Sequence, residues 1–299
     1  MGKKIKKRGK IKFSMGICAY NEEKTIRRLL DFLLKEKFED TSMNEIIVVA
    51  SGCTDRTEDV VLEFRQKDKR VKLITEKERR GKASAVNLII RNAKNKIIVL
   101  ESADTVPAKG ATENLVLALQ EPEVGVVGAR VVPRNKADSL IGFAVNLQWE
   151  LHHLISLKHP KAGEMIAFRK SFERIHPKTA VDEALVECVM ATQGYKIGYE
   201  PKAIVYNKGP DNVRDFLRQR RRIYAGHVVA KKHCGYMVST YNGLAIIPYL
   251  LKAHKSSFCF FIYTPLAVLL EVIARTAGWL DYHFKIRDHS IWKIAQSTK

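Results

Sequence analysis

The chain is short of acidic side chains, and that deficit decides the first question about it. Against 52 lysines and arginines stand only 32 aspartates and glutamates, a formal charge of +20. A charge so far from zero points to polyanionic partners: nucleic acid, anionic lipid headgroups or phosphorylated substrates. Cysteine is sparse as well. The five (Cys18, Cys53, Cys188, Cys234 and Cys259) are widely spaced with no C-x-x-C pair, which argues against a zinc site or a disulfide framework and favours a reducing compartment. No internal repeat or low-complexity tract is present, and 46% hydrophobic with 28% charged residues describes a globular protein. After the basic leader MGKKIKKRGKIK, the apolar segment 13–19 stops at Asn21-Glu22-Glu23. It is too short for a signal-peptide core and has no cleavage region. Position 6 is not Ser or Thr, so myristoylation of Gly2 is unsupported.

What is present is an alternation of buried strands and amphipathic helices. Residues 13–19, 45–50 (EIIVVA), 71–75 and 96–100 read as strands, and the apolar runs in 45–50 and 97–100 suit burial on both faces. Between them, residues 23–38 carry Ile26, Leu29, Leu30, Leu33 and Leu34 on one helical face, and residues 57–66 and the segment around Ala85, Leu88, Ile89 and Ala93 repeat the pattern. Helices at 111–119, 139–157, 181–193 and 213–232 and strands at 124–132, 164–169, 196–200 and 203–207 continue it. With 299 residues there is ample core for an α/β fold of Rossmann-like type: a mostly parallel sheet flanked by helices.

The chain is organised around residues 97–107, IIVLESADTVP. Four apolar residues end in a polar knot at what should be the carboxyl end of a parallel strand, where open α/β sheets bind ligands. Asp104 is an oxygen donor suited to a hard divalent cation and the diphosphate such a cation holds. Read alone, it is equally an aspartate capping its own loop.

From residue 243 the character changes. Residues 258–270 (FCFFIYTPLAVLL) carry no charge, yet the run reaches the roughly 20 residues a membrane span needs only by accepting Glu271 and Arg275, an i,i+4 pair. Trp279, Tyr282 and Trp292 are spaced as interfacial anchors, followed by Lys285 and Arg287. A span, an in-plane amphipathic helix and a buried core helix are all compatible with this pattern.

Four groups of residues in order resemble the inverting GT-A glycosyltransferases of family 2. Ala19-Tyr20-Asn21-Glu22-Glu23 resembles that family's opening after the first strand. Residues 46–57, IIVVASGCTDRT, resemble its second-strand loop. Residues 80–87, RGKASAVN, with the organising stretch, resemble its R-G-K and D-x-D elements. Ala167-Phe168-Arg169, Asp182-Glu183, Gly194-Tyr195-Lys196-Ile197 and Gln219-Arg220-Arg221-Arg222 resemble its acid pair and Q-x-x-R-W region. The resemblance runs from about residue 12 to 225. It implies a hexosyltransferase with the GT-A fold over residues 12–232, preceded by a basic arm (1–11) and followed by a membrane-associating helical region (243–299). A UDP- or GDP-linked sugar would be held by Ala19, Tyr20, Asn21, Glu22, Ser51, Arg80, Lys82, Ser102, Ala103, Asp104, Gln219 and Arg222. Mn²⁺ or Mg²⁺ would sit on Asp104, and Asp182 would be the general base toward the acceptor.

The departures from the family pattern are informative. Ala50-Ser51 replace a pair of aspartates in the base-reading loop, leaving UDP against GDP open. Ser102-Ala103-Asp104 keep one carboxylate of the D-x-D, and Glu101, one place early, points to the other strand face. Ile223 stands where the tryptophan belongs, with Tyr224 beside it. The basic leader, the arginine-rich helix and the apolar tail together favour a lipid-linked acceptor, such as dolichyl phosphate or a glycolipid, at the cytoplasmic face of the cell membrane, with lipid as partner. A solvated or lipid-facing helix accounts for some of the surrounding cations Arg214, Arg218, Arg220, Arg221, Lys231 and Lys232. The competing reading is a degenerate transferase domain binding nucleic acid or an anionic surface. Its aromatics are not interleaved with the basic residues as stacking platforms would be, so nucleic acid is not the expected partner. A nucleotidyltransferase would need a Gly-rich loop where Ala19-Tyr20-Asn21-Glu22 stand. The oligomeric state is not readable.

Overall fold

The computed structural model describes residues 9–177, 179–253, 258–291 and 296–298. Residues 1–8 of the basic leader and Trp292 lie outside them. The chain begins β1 (Ile11–Ala19), α1 (Glu23–Lys35), β2 (Thr41–Ser51), α2 (Thr57–Lys67), β3 (Val71–Glu76), α3 (Lys82–Asn92) and β4 (Ile97–Ser102). β1 lies between β2 and β4 and is parallel to both, and β3 is parallel to β2 on the outside. The apolar runs account for this. Phe13, Met15, Ile17, Ile46, Val48 and Val99 are fully buried against α1, whose Ile26, Leu29, Leu30 and Leu33 recur at helical spacing. The opposite sheet face packs Ile47, Val49, Ile98 and Leu100 on α3.

The second half is less regular. It comprises β5 (Val106–Pro107), α4 (Ala111–Ala118), β6 (Val124–Pro133), α5 (Leu140–Ser156), β7 (Ile166–Arg169), α6 (Asp182–Thr192), β8 (Lys196–Asn207) and α7 (Val213–Cys234), then α8 (Ile247–Ala253) and α9 (Phe258–Phe284). β7 enters antiparallel between β4 and β6, β8 runs parallel to β6, and β5 covers the edge antiparallel to β8, in the order β3-β2-β1-β4-β7-β6-β8-β5. The two short strands expected at 196–200 and 203–207 are one strand. Its pairing to β6 skips from Glu200 to Ile204, around Pro201, which has no N–H to give the ladder.

α9 is where the fold departs most from the sequence reading. It lies along α7, and Gly278 permits the approach: a Cβ there would sit 2.5 Å from the Arg221 carbonyl. Arg220 makes a bidentate pair with Glu271 at 2.7 Å through both nitrogens, Arg275 Nε adds a third contact to Glu271 at 2.7 Å, and Arg221 pairs with the fully buried Asp281. Of the six basic residues considered for a solvated or lipid-facing surface, Arg220 and Arg221 point into the protein. The outer side of α9 exposes Phe261, Leu269, Val272, Trp279 and Phe284.

A second correction concerns the cysteines. Cys188 on α6 and Cys234 at the end of α7 form a disulfide, their Cα atoms 6.2 Å apart and within normal bridging range. Spacing in sequence cannot register this, because the pair is 46 residues apart and meets only when the two helices pack. Closing a loop of that size stabilises by about 4 kcal/mol in the chain-entropy account. Reductant should therefore lower the melting temperature by several degrees, and should have no such effect on Cys234→Ala; thermal shift with and without dithiothreitol measures both.

Candidate active site

The parallel strands align three carboxyl ends. Cys18 is in register with Ser102, and Ala19 with Ala50, so the loops after β1, β2 and β4 meet at one rim. Below that rim and beneath α5, α6 and α7 lies a cavity of about 790 Å³. Of the residues singled out in the sequence, Ala19, Tyr20, Glu22, Ser51, Lys82, Ser102, Ala103, Asp104, Asp182, Gln219 and Arg222 line it.

Asn21 and Arg80 do not. Asn21 adopts a left-handed backbone (φ 54°), and its side chain ties two loops together, accepting from Thr54 N at 2.8 Å and donating to Thr54 Oγ1 at 3.1 Å. It caps no helix: α1 starts from Glu22 without a side-chain cap. Arg80 is exposed, and Arg79 takes the cavity position, its guanidinium 3.8 Å from the centre of the Tyr20 ring. The reason lies in the backbone. Gly52 (φ 64°) packs so closely on this loop that a Cβ would lie 2.5 Å from Arg79 N. Ser51 Oγ accepts from Arg80 N at 3.4 Å. The main chain of the basic loop is therefore held on the end of β2, and the side chain of Arg79 is the one that reaches inward.

At the end of β4, Thr105 donates to the Glu101 carboxylate and to Ser102 O at 2.7 Å, folding the loop back. Glu101 is buried on the other strand face, as alternation requires, and burial pushes its carboxyl up to about 8. Asp104 is exposed at the cavity wall. Glu164, which no sequence pattern singled out, lines the same cavity; burial pushes it up to about 7, with Glu183 and Asp104 adding to the rise and Lys82 opposing it. Among the described residues no group of three or more His, Cys, Asp or Glu is arranged to hold a metal. A cation here would take one or two carboxylates from the protein and its other ligands from phosphate oxygens and water. That is the ordinary habit of Mg²⁺ on a diphosphate, and the donor set fits it.

Asp182 and Glu183 open α6. Lys82, expected to face a diphosphate, instead donates to Glu183 Oε1 at 2.5 Å and sits 3.2 Å from Asp182 Oδ2. With both carboxylates within reach, a buried ammonium goes to them. Burial first, then the Glu183 charge, pushes Asp182 up to about 6, while Lys82 pulls it down. Gln219 and Arg222 reach the cavity from α7, and Arg222 Nη1 donates to Ala180 O at 3.0 Å, bracing the turn before Asp182. Ile223 lines the wall, but Tyr224 turns away to stack on Tyr241 (5.6 Å, 14°) and does not replace the missing tryptophan. The aromatic surface comes from α5, through Trp149 and His152. His152 is held neutral, pushed down to about 3 by burial and by Lys161, and its Nε2 donates to Ala162 O at 3.2 Å.

The model of the glycosyl transferase family 2 matches residues 14–174, and that of glycosyl transferase family group 2 matches residues 97–280. Probable glycosyltransferase YdaM of Bacillus subtilis is 28% identical over 236 residues, covering 72% of this chain and 55% of that protein. Poly-beta-1,6-N-acetyl-D-glucosamine synthase of Staphylococcus epidermidis is 24% identical over 296 residues, covering 94% of this chain and 70% of that one. The chain thus spans between about half and 70% of the length of these relatives. Among solved structures, the mannosyltransferase PcManGT of Pyrobaculum calidifontis, in complex with GDP-Man and Mn²⁺, aligns with a TM-score of 0.66 at 20% identity over 94% of this chain and 89% of its own. Glucosyl-3-phosphoglycerate synthase of Mycobacterium tuberculosis, in complex with Mn²⁺, UDP and phosphoglyceric acid, aligns at 0.52 and 18% over 74% and 78%. At these identities the structural likeness establishes the GT-A fold.

Proposed function

The chain belongs to glycosyl transferase family 2, and from that premise we propose that it moves a hexose, with inversion, from a UDP- or GDP-linked donor onto a lipid-linked acceptor at a membrane surface. The observation that carries the reading is the convergence of Tyr20, Ser51, Asp104, Asp182, Gln219 and Arg222, from five separate elements and loops, on one cavity. In this reading Tyr20, Ser51 and Arg79 form the nucleotide end. Asp104, with Glu164 beside it, would hold Mg²⁺ or Mn²⁺, the latter present with donor or nucleotide in the two structural neighbours. Bound there, the ion supplies positive charge to the departing nucleoside diphosphate. Asp182 accepts the proton of an acceptor hydroxyl as that oxygen attacks the anomeric carbon and the nucleoside diphosphate leaves from the opposite face. Lys82 holds the Asp182 carboxyl lower than burial alone would; an acceptor phosphate, already ionised, would need this base little. Gln219 and Arg222 orient the phosphates and acceptor.

The location follows from α9. By length and composition residues Phe260–Phe284 could cross a membrane. Lifting the helix off α7 would leave Arg220, Arg221, Glu271 and Asp281 without their partners, a loss of about 3–5 kcal/mol for each broken buried pair. An in-plane position keeps those pairs and offers the exposed apolar side to lipid, with exposed Lys231, Lys232, Lys252 and Lys285 at the ends of α7, α8 and α9 suited to anionic headgroups. Dolichyl phosphate and a glycolipid are both acceptors of the required kind.

A panel of UDP- and GDP-sugars read by thermal shift should give stabilisation by one nucleotide class, lost in EDTA and in Asp104→Ala; equal donor binding with and without metal would remove the ion from the site. Transfer to a hydroxyl acceptor should fall on the acid side with an apparent pKa near 6, where Asp182 protonates. Lys82→Gln should move that limb to higher pH, because it removes the charge that lowers the Asp182 value. Asp182→Asn should abolish transfer while donor binding persists, and a pH–rate series with both variants checks this. Flotation with liposomes should carry the full chain upward with phosphatidylglycerol vesicles and much less after Leu269→Glu with Val272→Glu. No flotation of the unmodified chain would exclude the membrane role.

A further inference from the structure

Beyond α9 the chain turns back across the cavity. Lys285 takes a left-handed backbone (φ 51°), a conformation that costs a residue with a Cβ and is kept only where its surroundings demand it. Ile286 N then bonds Asp281 O at 3.1 Å, and His289 Nε2 meets Asp281 Oδ2 at 2.8 Å, on the same carboxylate that Arg221 holds. Ser290 N donates to Asp288 Oδ1 at 2.8 Å. This path brings the strap onto the amino end of α3: a Cβ on Gly81 would lie 2.5 Å from Ser290 O and 3.6 Å from Ile291. Farther on, Ser297 Oγ donates to Asp215 Oδ2 at 2.7 Å, in the first turn of α7. The strap, residues 285–291, therefore runs from the end of α9 to the basic loop, and Arg287, Asp288, His289 and Ile291 line the cavity.

Charge decides what this segment is for. A nucleoside diphosphate brings negative charge to the corner between Asp104 and the basic loop. Two of the cations already there have other engagements: Lys82 is on Asp182 and Glu183, and Arg79 lies on the Tyr20 ring. Arg287 lies on the cavity wall, is exposed, and enters no ion pair among the described residues. Resting on the donor reading above, we propose that the C-terminal strap is part of the donor site, with Arg287 binding the diphosphate of a nucleoside diphosphate sugar and the strap closing over it. The contacts to Asp281 and, farther along the chain, of Ser297 to Asp215 make His289 and Ser297 positioning residues, and Gly81, whose left-handed backbone (φ 88°) already favours glycine, leaves room for the strap.

The test uses the full chain, with UDP and GDP as probes in calorimetric titrations. Arg287→Gln, a change on an exposed side chain, should leave the melting temperature unaltered. It should weaken binding of whichever diphosphate the unmodified chain binds by roughly ten-fold or more, the size of one hydrogen bond to a charged group. Binding of the matching nucleoside, which has no phosphate, should not change. Ser297→Ala should weaken the diphosphate a few-fold, and hydrogen exchange at amides 286–291 should slow when diphosphate is added. Unchanged or tighter diphosphate binding by Arg287→Gln, with the unmodified chain binding normally, overturns the strap proposal and leaves the donor reading standing. If the unmodified chain binds neither diphosphate, the donor reading fails and the strap proposal falls with it.

Discussion

Everything at the candidate site depends on the hydrogen-bonded register of β1 between two parallel neighbours. Parallel pairing brings strand ends of the same polarity together, and burial on both faces fixes which residues end each strand. A slip of one residue along β1 would drive Phe13, Met15 and Ile17 onto the opposite face, where Gly16 now admits Ile89 of α3, and separate Cys18 from Ser102. The register is thus held by packing far from the site, and the site inherits its geometry. The tie between Asn21 and Thr54, the close approach of Gly52 to the Arg79 backbone and the Thr105 contacts with Glu101 and Ser102 are local adjustments on that frame.

A second constraint is electrostatic. The excess of positive charge over the whole chain does not persist inside it. Lys82 stands against Asp182 and Glu183, Arg220 and Arg275 against Glu271, and Arg221 against Asp281. Charges taken out of water must be paired, since an unpaired one costs far more than a pair stabilises. This rule turns the arginine-rich helix inward at two positions and makes α9 part of the catalytic domain's packing. It also sets Lys82 beside Asp182, which links the basic loop to the residue proposed as base.

Much of the site was legible because its residues sit at strand ends, and strand ends can be read from short apolar runs. Asp104, Ser51 and Tyr20 were found this way, with the resemblance supplying their roles. The failures are of a different kind. Arg80 and Arg79 are neighbours in one loop, and nothing in local sequence tells which reaches inward; the close packing on Gly52 decides it. Glu164, Trp149 and His152 have no pattern of their own and join the cavity through the antiparallel insertion of β7 and the packing of α5. Tyr224 was a reasonable substitute for an absent tryptophan until its stacking on Tyr241 turned it away.

The sequence by itself determined the alternation of strands and helices, the order of the loops at the rim and the chemical types gathered there. These follow from periodicity and from residues close together in the chain. The tertiary structure alone decided which of two arginines enters the cavity, that Lys82 rests on the acid pair, that Cys188 meets Cys234, and that α9 turns its charges toward α7 and its apolar side outward. Each of these is a contact between residues distant in sequence. Its outcome depends on which partner is near enough to satisfy a buried charge or fill a space, and no local pattern carries that information.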